Sequence, residues 1–386
     1  MRDKWASLFP LFAAIIPQFV IGQEIHVPPN SVLESLRDLA VLDPNGPFRN
    51  SSQRFEPTAN ITLKPPYFQI FDEKFLEILG PTPSVRVIVE NDTFAFAHEA
   101  PMWLPGTDEV FFNGGKTVGR PVSKIDLGDL KNSPTGLINF TILPLGPDIQ
   151  ITNGGTIFKG DLLLVTTGLG QLPPSIVRVN PRPPFNDTVL LNNFYGRQFN
   201  SLNDIKIHPV TRAIFFTDVT YGFINGFRPK PLLPNQVYRF DPDTGEIQVV
   251  ADGFVQPNGI AFSLDGQTAY IADTGASGAV SDPTLPGTIY AFDVMRGSQS
   301  FTNRRVFAYA DTGVPDGLTL DTHGNVYAGC GDGTQVFSPT GRLLGKVFIG
   351  ASSANMVFAG PGRLLIMADT KILLANIAAE GMDLNL

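Results

Sequence analysis

Four oxygen-bearing side chains open similar phrases along this 386-residue chain: Glu99 in "HEAPMW", Asn203 in "LNDIKI", Asn258 in "QPNGIAFS" and Asp316 in "VPDGLTLD". The phrases share more than their first residue. Asn258 has apolar Ile260 and Phe262 at +2 and +4 and Asp273 at +15, and Asn203 has Ile205, Ile207 and Asp218 at the same offsets. Asp316 is followed by Leu318, Leu320 and then Gly329, and Asn355 by Val357, Ala359 and Asp369. Hard cations such as Ca²⁺ take oxygen ligands, and an Asn amide oxygen coordinates without adding charge. Glu99 and Asp316 would balance one divalent ion, with Asn203 and Asn258 completing a neutral set. The plainer account of any one of them is a cap that bonds backbone at a strand start. Their recurrence in register favours the ion.

The spacing shows what must position them. With Asn153 in "NGGTIFKGDLLLVTT" added, the six openings from Glu99 to Asn355 lie 54, 50, 55, 58 and 39 residues apart. Each interval holds a four-stranded sheet's worth of chain, the signature of a β-propeller. Short alternating segments such as "EVFFN", "AIFFTD", "TAYIAD" and "TIYAFD", separated by turns such as "SLDG" and "SPTGR", support an all-β, six-bladed propeller. The six openings then ring one mouth of the central channel. The glycines after Asn258 and Asp316 allow close backbone approach at that crowded axis. Short helices are expected only near Val32–Leu42 and Asp72–Leu79, and "DPDTG" (Asp241–Gly245) reads as a hairpin turn rather than a calcium loop.

Composition narrows the class. A net charge of −8 without a basic stripe argues against nucleic acid or an anionic membrane surface as partner. Arg2 and Lys4 precede an apolar run to Ile21, with Gly22 suited to cleavage, so residues 1–22 read as a secretory signal and the product as a secreted, extracellular protein. Sequons at Asn50, Asn60, Asn91, Asn139 and Asn186 agree with a glycoprotein. The single cysteine, Cys330, excludes an intrachain disulfide and reads as packing. Residues 23–84 form an N-terminal extension that braces or closes the ring, and residues 85–386 the propeller.

The same motifs carry a family resemblance. The chain resembles the senescence-marker/gluconolactonase (regucalcin) family of six-bladed calcium propellers, and within it the secreted fungal lactonohydrolases. "HEAPMW", "LNDIKI…FFTD", "QPNGIAFS" and "VPDGLTLD" match its four motifs in order from about Val85 to Ala368. Ala100 departs from the commoner glycine or serine, a change expected to cost little. The resemblance implies one calcium ion held by Glu99, Asn203, Asn258 and Asp316. It implies hydrolysis of a small-molecule lactone, of aldonolactone or pantoyl-lactone type, to a hydroxy acid. Asp316 is then the catalytic residue, as base or nucleophile, or else a metal-bound water takes that part.

Around these, Asp204, Asp218 and Asp273 are read either as orienting the Asn ligands or as closing turns, Asn153 as a further contact or a turn, and Tyr221 as substrate wall or blade packing. A second, structural metal stays open. No histidine is expected to be catalytic: strand alternation sends His98 away from the ligands unless the chain bends, and His208 and His323 fall in far turns. Rival readings are the same site acting on a phosphotriester, a non-catalytic binding scaffold, and a metal-free relative of the strictosidine-synthase type.

Overall fold

The computed structural model describes residues 26–42, 48–49, 52, 63–115, 121–147, 149–278 and 280–382. The signal expected over residues 1–22 and the sequons at Asn50 and Asn60 lie outside the described residues. Short alternating segments pair in sequence order into six antiparallel sheets, each with four strands of the ring. The six innermost strands are Glu99–Leu104, Thr152–Phe158, Leu202–Ile207, Pro257–Phe262, Leu318–Leu320 and Asn355–Phe358. Each touches the next, and the last touches the first. The protein is a six-bladed β-propeller.

Closure is made by the N-terminal side of the chain. Strand Ser84–Glu90 is the outermost strand of the last blade, pairing antiparallel with Lys371–Asn376 (Val85 opposite Ala375). The ring is therefore fastened by ladder hydrogen bonds between the two ends of the propeller rather than by packing alone. The fifth blade is widened to six strands by Tyr67–Ile70 and, beyond it, Ser31–Leu33. That added edge covers a buried ion cluster in which Lys346 Nζ bonds Asp332, 2.7 Å away, and Asp311. Arg49 ties the segment before it to the same Asp311, at 2.9 Å.

Between blades the core divides into separate apolar layers, because every strand face that meets a neighbouring sheet must be apolar. One layer packs Phe215, Phe262, Phe292 and Phe301 between the third and fourth blades. Another packs Phe199, Phe216 and Tyr238, with Phe216 and Tyr238 stacked at 5.2 Å between ring centroids. Cys330 is a buried member of such a layer. Among the described residues, helices are confined to short pieces such as Leu36–Ala40 and Lys74–Leu79. None of the described helices is long and apolar enough to cross a membrane.

Candidate functional site

The innermost strands begin irregularly. In the first four blades, pairing with the second strand slips by one residue between Glu99 and Met102, Thr152 and Gly155, Leu202 and Ile205, and Pro257 and Ile260. A bulge of this kind re-aims side chains and is common beside functional sites. Asn153, Asn203 and Asn258 each take the first bulged position, whereas Glu99 stands one residue before its bulge. Ala100 then has φ 53°, a left-handed conformation that costs a non-glycine residue roughly 1–2 kcal/mol. The alanine is thus less innocent than its small size suggested, and its left-handed backbone opens the bulge that follows Glu99.

Crowding at the axis explains the glycines. A Cβ on Gly259 would overlap the Asp316 carbonyl oxygen, and one on Gly317 would overlap the Asn355 side chain. Neighbouring blades approach there at backbone distance, which brings one blade's opening residue against the next.

The openings line a cavity of about 390 Å³ at this mouth, which includes Glu99, Asn153, Asn203, Asn258 and Asp316. Polar atoms of His98, Glu99 and Asp316 lie within 4.8 Å of one another. Asn258 faces both Asp316 and Tyr221 across the cavity, and Asn355 Nδ2 donates to Glu99 Oε2 at 2.7 Å. Asn153 Nδ2 donates to the Asn203 carbonyl at 2.9 Å, linking the second and third blades. Asn203 Oδ1 is buried with no hydrogen-bond partner among the described residues, an arrangement costly for an acceptor unless something else satisfies it.

The electrostatics agree. Burial pushes the Glu99 carboxyl above its ordinary range, and repulsion from Asp316 pushes it further. Burial and repulsion from Asp204 do the same to Asp316. Two carboxylates so arranged, one buried and one half-buried, are mutually unfavourable when both are charged, and a divalent cation between them would reverse that. A hard cation fits this donor set: two carboxylates, an unpartnered amide oxygen and a second amide, all oxygen donors.

The other residues singled out from sequence take distinct places. Asp204 follows Asn203 without lining the cavity, accepting from Ile205 N at 2.8 Å and from Ile260 N of the next blade at 2.9 Å, with Lys206 Nζ 3.5 Å away. Asp218 accepts from the backbone N–H groups of Asn200 and Ser201, and Asp273 from those of Val255 and Gln256. Both clamp the segment leading into an inner strand. Burial raises the Asp218 carboxyl to about 7, although those bonds and Arg228 oppose it. Tyr221 lines the cavity, its hydroxyl against Thr274 and Asn258.

One expectation is corrected. His98 does not turn away: it stands just before the inner strand, and its ring reaches the cavity beside Glu99 and Asp316, where Nδ1 is 2.7 Å from Asp369 Oδ1. Strand alternation failed because the residue lies outside the strand. His208 does sit at far turns, bonding the Gly266 carbonyl at 2.9 Å. Sequence reasoning aligned Asn355 and Asp369 with the repeat without giving either a place in the site. Of the sequons, Asn139 and Asn186 are exposed and Asn91 is half-buried, its Oδ1 accepting from Thr93.

Fold and cavity together define a six-bladed propeller with an acid- and amide-lined axial site. Residues 175–368 match the SMP-30/Gluconolactonase/LRE-like region, and the chain belongs to that family. It is similar to lactonohydrolase oryL of Aspergillus oryzae, 31% identical over 69% of this chain and 64% of that protein, so it spans less than two thirds of that relative. Lactonohydrolase oryH of the same organism is 28% identical over 72% of this chain and 73% of its own length. Among solved structures, a gluconolactonase from Xanthomonas campestris superposes with TM-score 0.64 at 25% identity, covering 80% of this chain and 93% of that one. The calcium-binding protein regucalcin from Agrobacterium tumefaciens shares the fold, with TM-score 0.55 at 17% identity over 76% of this chain and 96% of that one.

Proposed function

We propose that this chain is a lactone hydrolase that works with one calcium ion held by Glu99, Asn203, Asn258 and Asp316, opening aldonolactone- or pantoyl-lactone-type substrates to hydroxy acids. The observation that carries the reading is the convergence of two carboxylates, the buried Glu99 and the half-buried Asp316, beside the unpartnered Asn203 Oδ1. The names of the relatives, lactonohydrolase and gluconolactonase, support the reaction class.

When bound, the cation supplies Lewis-acid stabilisation of the negative charge that grows on the ester carbonyl oxygen. The chain supplies the rest. Asp316 accepts a proton from the attacking water; the ring C–O bond breaks; and the same proton returns to the ring oxygen as it leaves, giving a carboxylic acid and a hydroxyl. Asn258, beside Asp316, favours its charged form. Asn355 holds Glu99 in place. Tyr221 and Asn153 form part of the cavity wall against which the substrate is oriented.

The test is ring opening followed by pH-stat on a panel of aldono- and pantoyl lactones, with a phosphotriester as comparison, for the wild-type protein and for Asp316→Ala of verified fold. Lactone turnover that the substitution abolishes supports the reading. Phosphotriester turnover exceeding that of every lactone would overturn it.

We also propose that the protein is exported and carries N-linked glycans. The basic-then-apolar N-terminus and the exposed Asn139 and Asn186 support this. Recovery of the protein from the medium of its native cells, with a mass that falls on enzymatic deglycosylation, is the expected result.

A further inference from the structure

The cavity has two kinds of wall. Among the described residues, its apolar side chains Val219, Ile224 and Phe227, with the ring of Tyr221, all come from one segment that follows the second strand of the third blade. The same segment adds Asn225, and the rest of the lining is polar or glycine, with Thr167, Ser201, Ser277 and Gly278 joining the site residues.

That segment is built to stay where it is. Phe227 N and Arg228 N both donate to the Gly222 carbonyl, at 2.9 and 3.0 Å, and Gly222 N donates to Ser201 Oγ at 2.8 Å. The buried Arg228 guanidinium donates through Nη1 to the carbonyls of Gly170 and Leu172, both at 2.7 Å, and through Nη2 to Gln198 Oε1 at 2.9 Å. Gly170 N returns a bond to the Phe227 carbonyl at 2.9 Å. Loops of the second and third blades are thus locked together, and the lock leaves Ile224 and Phe227 half-buried at the cavity instead of packed into a core layer.

We infer that Ile224 and Phe227 are specificity-determining residues, and that of the two substrate types named above the site favours the alkyl-bearing one over the fully hydroxylated aldonolactone, taking a lactone whose alkyl or aryl substituent packs on them. This rests on the lactone-hydrolase reading above. A sugar lactone would set hydroxyls against Ile224 and Phe227, where the wall returns no hydrogen bond for those that water gave. An apolar substituent exchanges water for that wall at a gain.

The test compares kcat/KM for two five-membered lactones, one bearing a butyl group and one a fully hydroxylated aldonolactone. The calcium-loaded wild type is expected to favour the butyl lactone by about tenfold or more, the scale on which hydrophobic pockets discriminate. Phe227→Ser should lower the butyl-lactone value about tenfold, mainly through KM, and change the aldonolactone value less than about threefold. Ile224→Thr should act in the same direction, with thermal unfolding confirming that both variants fold. Preference of the wild type for the aldonolactone, or equal losses on both substrates in both variants, would overturn the inference while leaving the lactone-hydrolase reading intact. Turnover of neither lactone would overturn that reading and this inference with it.

Discussion

Asn355 donates a 2.7 Å hydrogen bond to Glu99 across 256 residues of sequence, so the contact that joins the last inner strand to the first also orients a carboxylate of the axial cavity. Ring closure and site geometry are one relationship in this protein. Glu99 cannot be displaced without disturbing the seam, and a change at the seam reaches the site.

Asn355→Ala is therefore expected to weaken calcium binding about 10- to 100-fold, the usual cost of removing a partner that orients a metal ligand. Asn355→Asp should do more harm, because it sets a like charge against Glu99. Calorimetric calcium titration checks both. Wild-type affinity in Asn355→Ala would mean that Glu99 is held by other contacts.

Gly317→Ala places a methyl group on the Asn355 side chain. The expected outcome is a loss of about 1–3 kcal/mol in stability, as for other overpacked sites, with weakened calcium binding. Gly106 has open space around it, and Gly106→Ala should stay within about 0.5 kcal/mol of wild type. Denaturant unfolding of the two variants side by side makes the comparison; equal stabilities would show that the axis is looser than its geometry implies.

Acid stability should report on Glu109. Burial alone would raise its carboxyl, but hydrogen bonds from Lys124, Thr107 and, from the second blade, Arg182 outweigh that and hold it down at about 2. A folded value below the unfolded one stabilises the protein fully above the unfolded carboxylate range, near pH ~4.3, and the contribution is lost as pH falls towards the folded value. Glu109→Gln should accordingly show a shallower fall in urea midpoint between pH 5 and pH 3 than wild type. Parallel curves would remove Glu109 from the acid response.

How much of this could be read from sequence depended on whether the chain was locally regular. The repeat of openings survives in the sequence because each inner strand needs a polar residue at the mouth and apolar residues beyond it, as at Asn203, Ile205 and Ile207. Glu99 was found by its motif, but its one-residue offset from the Asn positions was invisible, since it comes from a left-handed alanine and a bulge. His98 was misplaced because it stands just before the strand whose alternation was assumed. Asp218 and Asp273 recur for a structural purpose, clamping backbone N–H groups ahead of inner strands, and periodicity alone could not separate that from ligand orientation. The Arg228 lock joins residues up to 58 positions apart through carbonyl oxygens, which leave no trace in residue types.

In the reading proposed here the axial oxygens hold a cation on which activity depends. The most direct measurement is lactone opening by one protein preparation in three states: as isolated, after exhaustive chelation with the fold verified by circular dichroism, and after calcium is returned. The account predicts activity that is lost on chelation and restored by about one equivalent of calcium per chain, the number that two ligand carboxylates balance. Full turnover in the chelated, folded protein would contradict it.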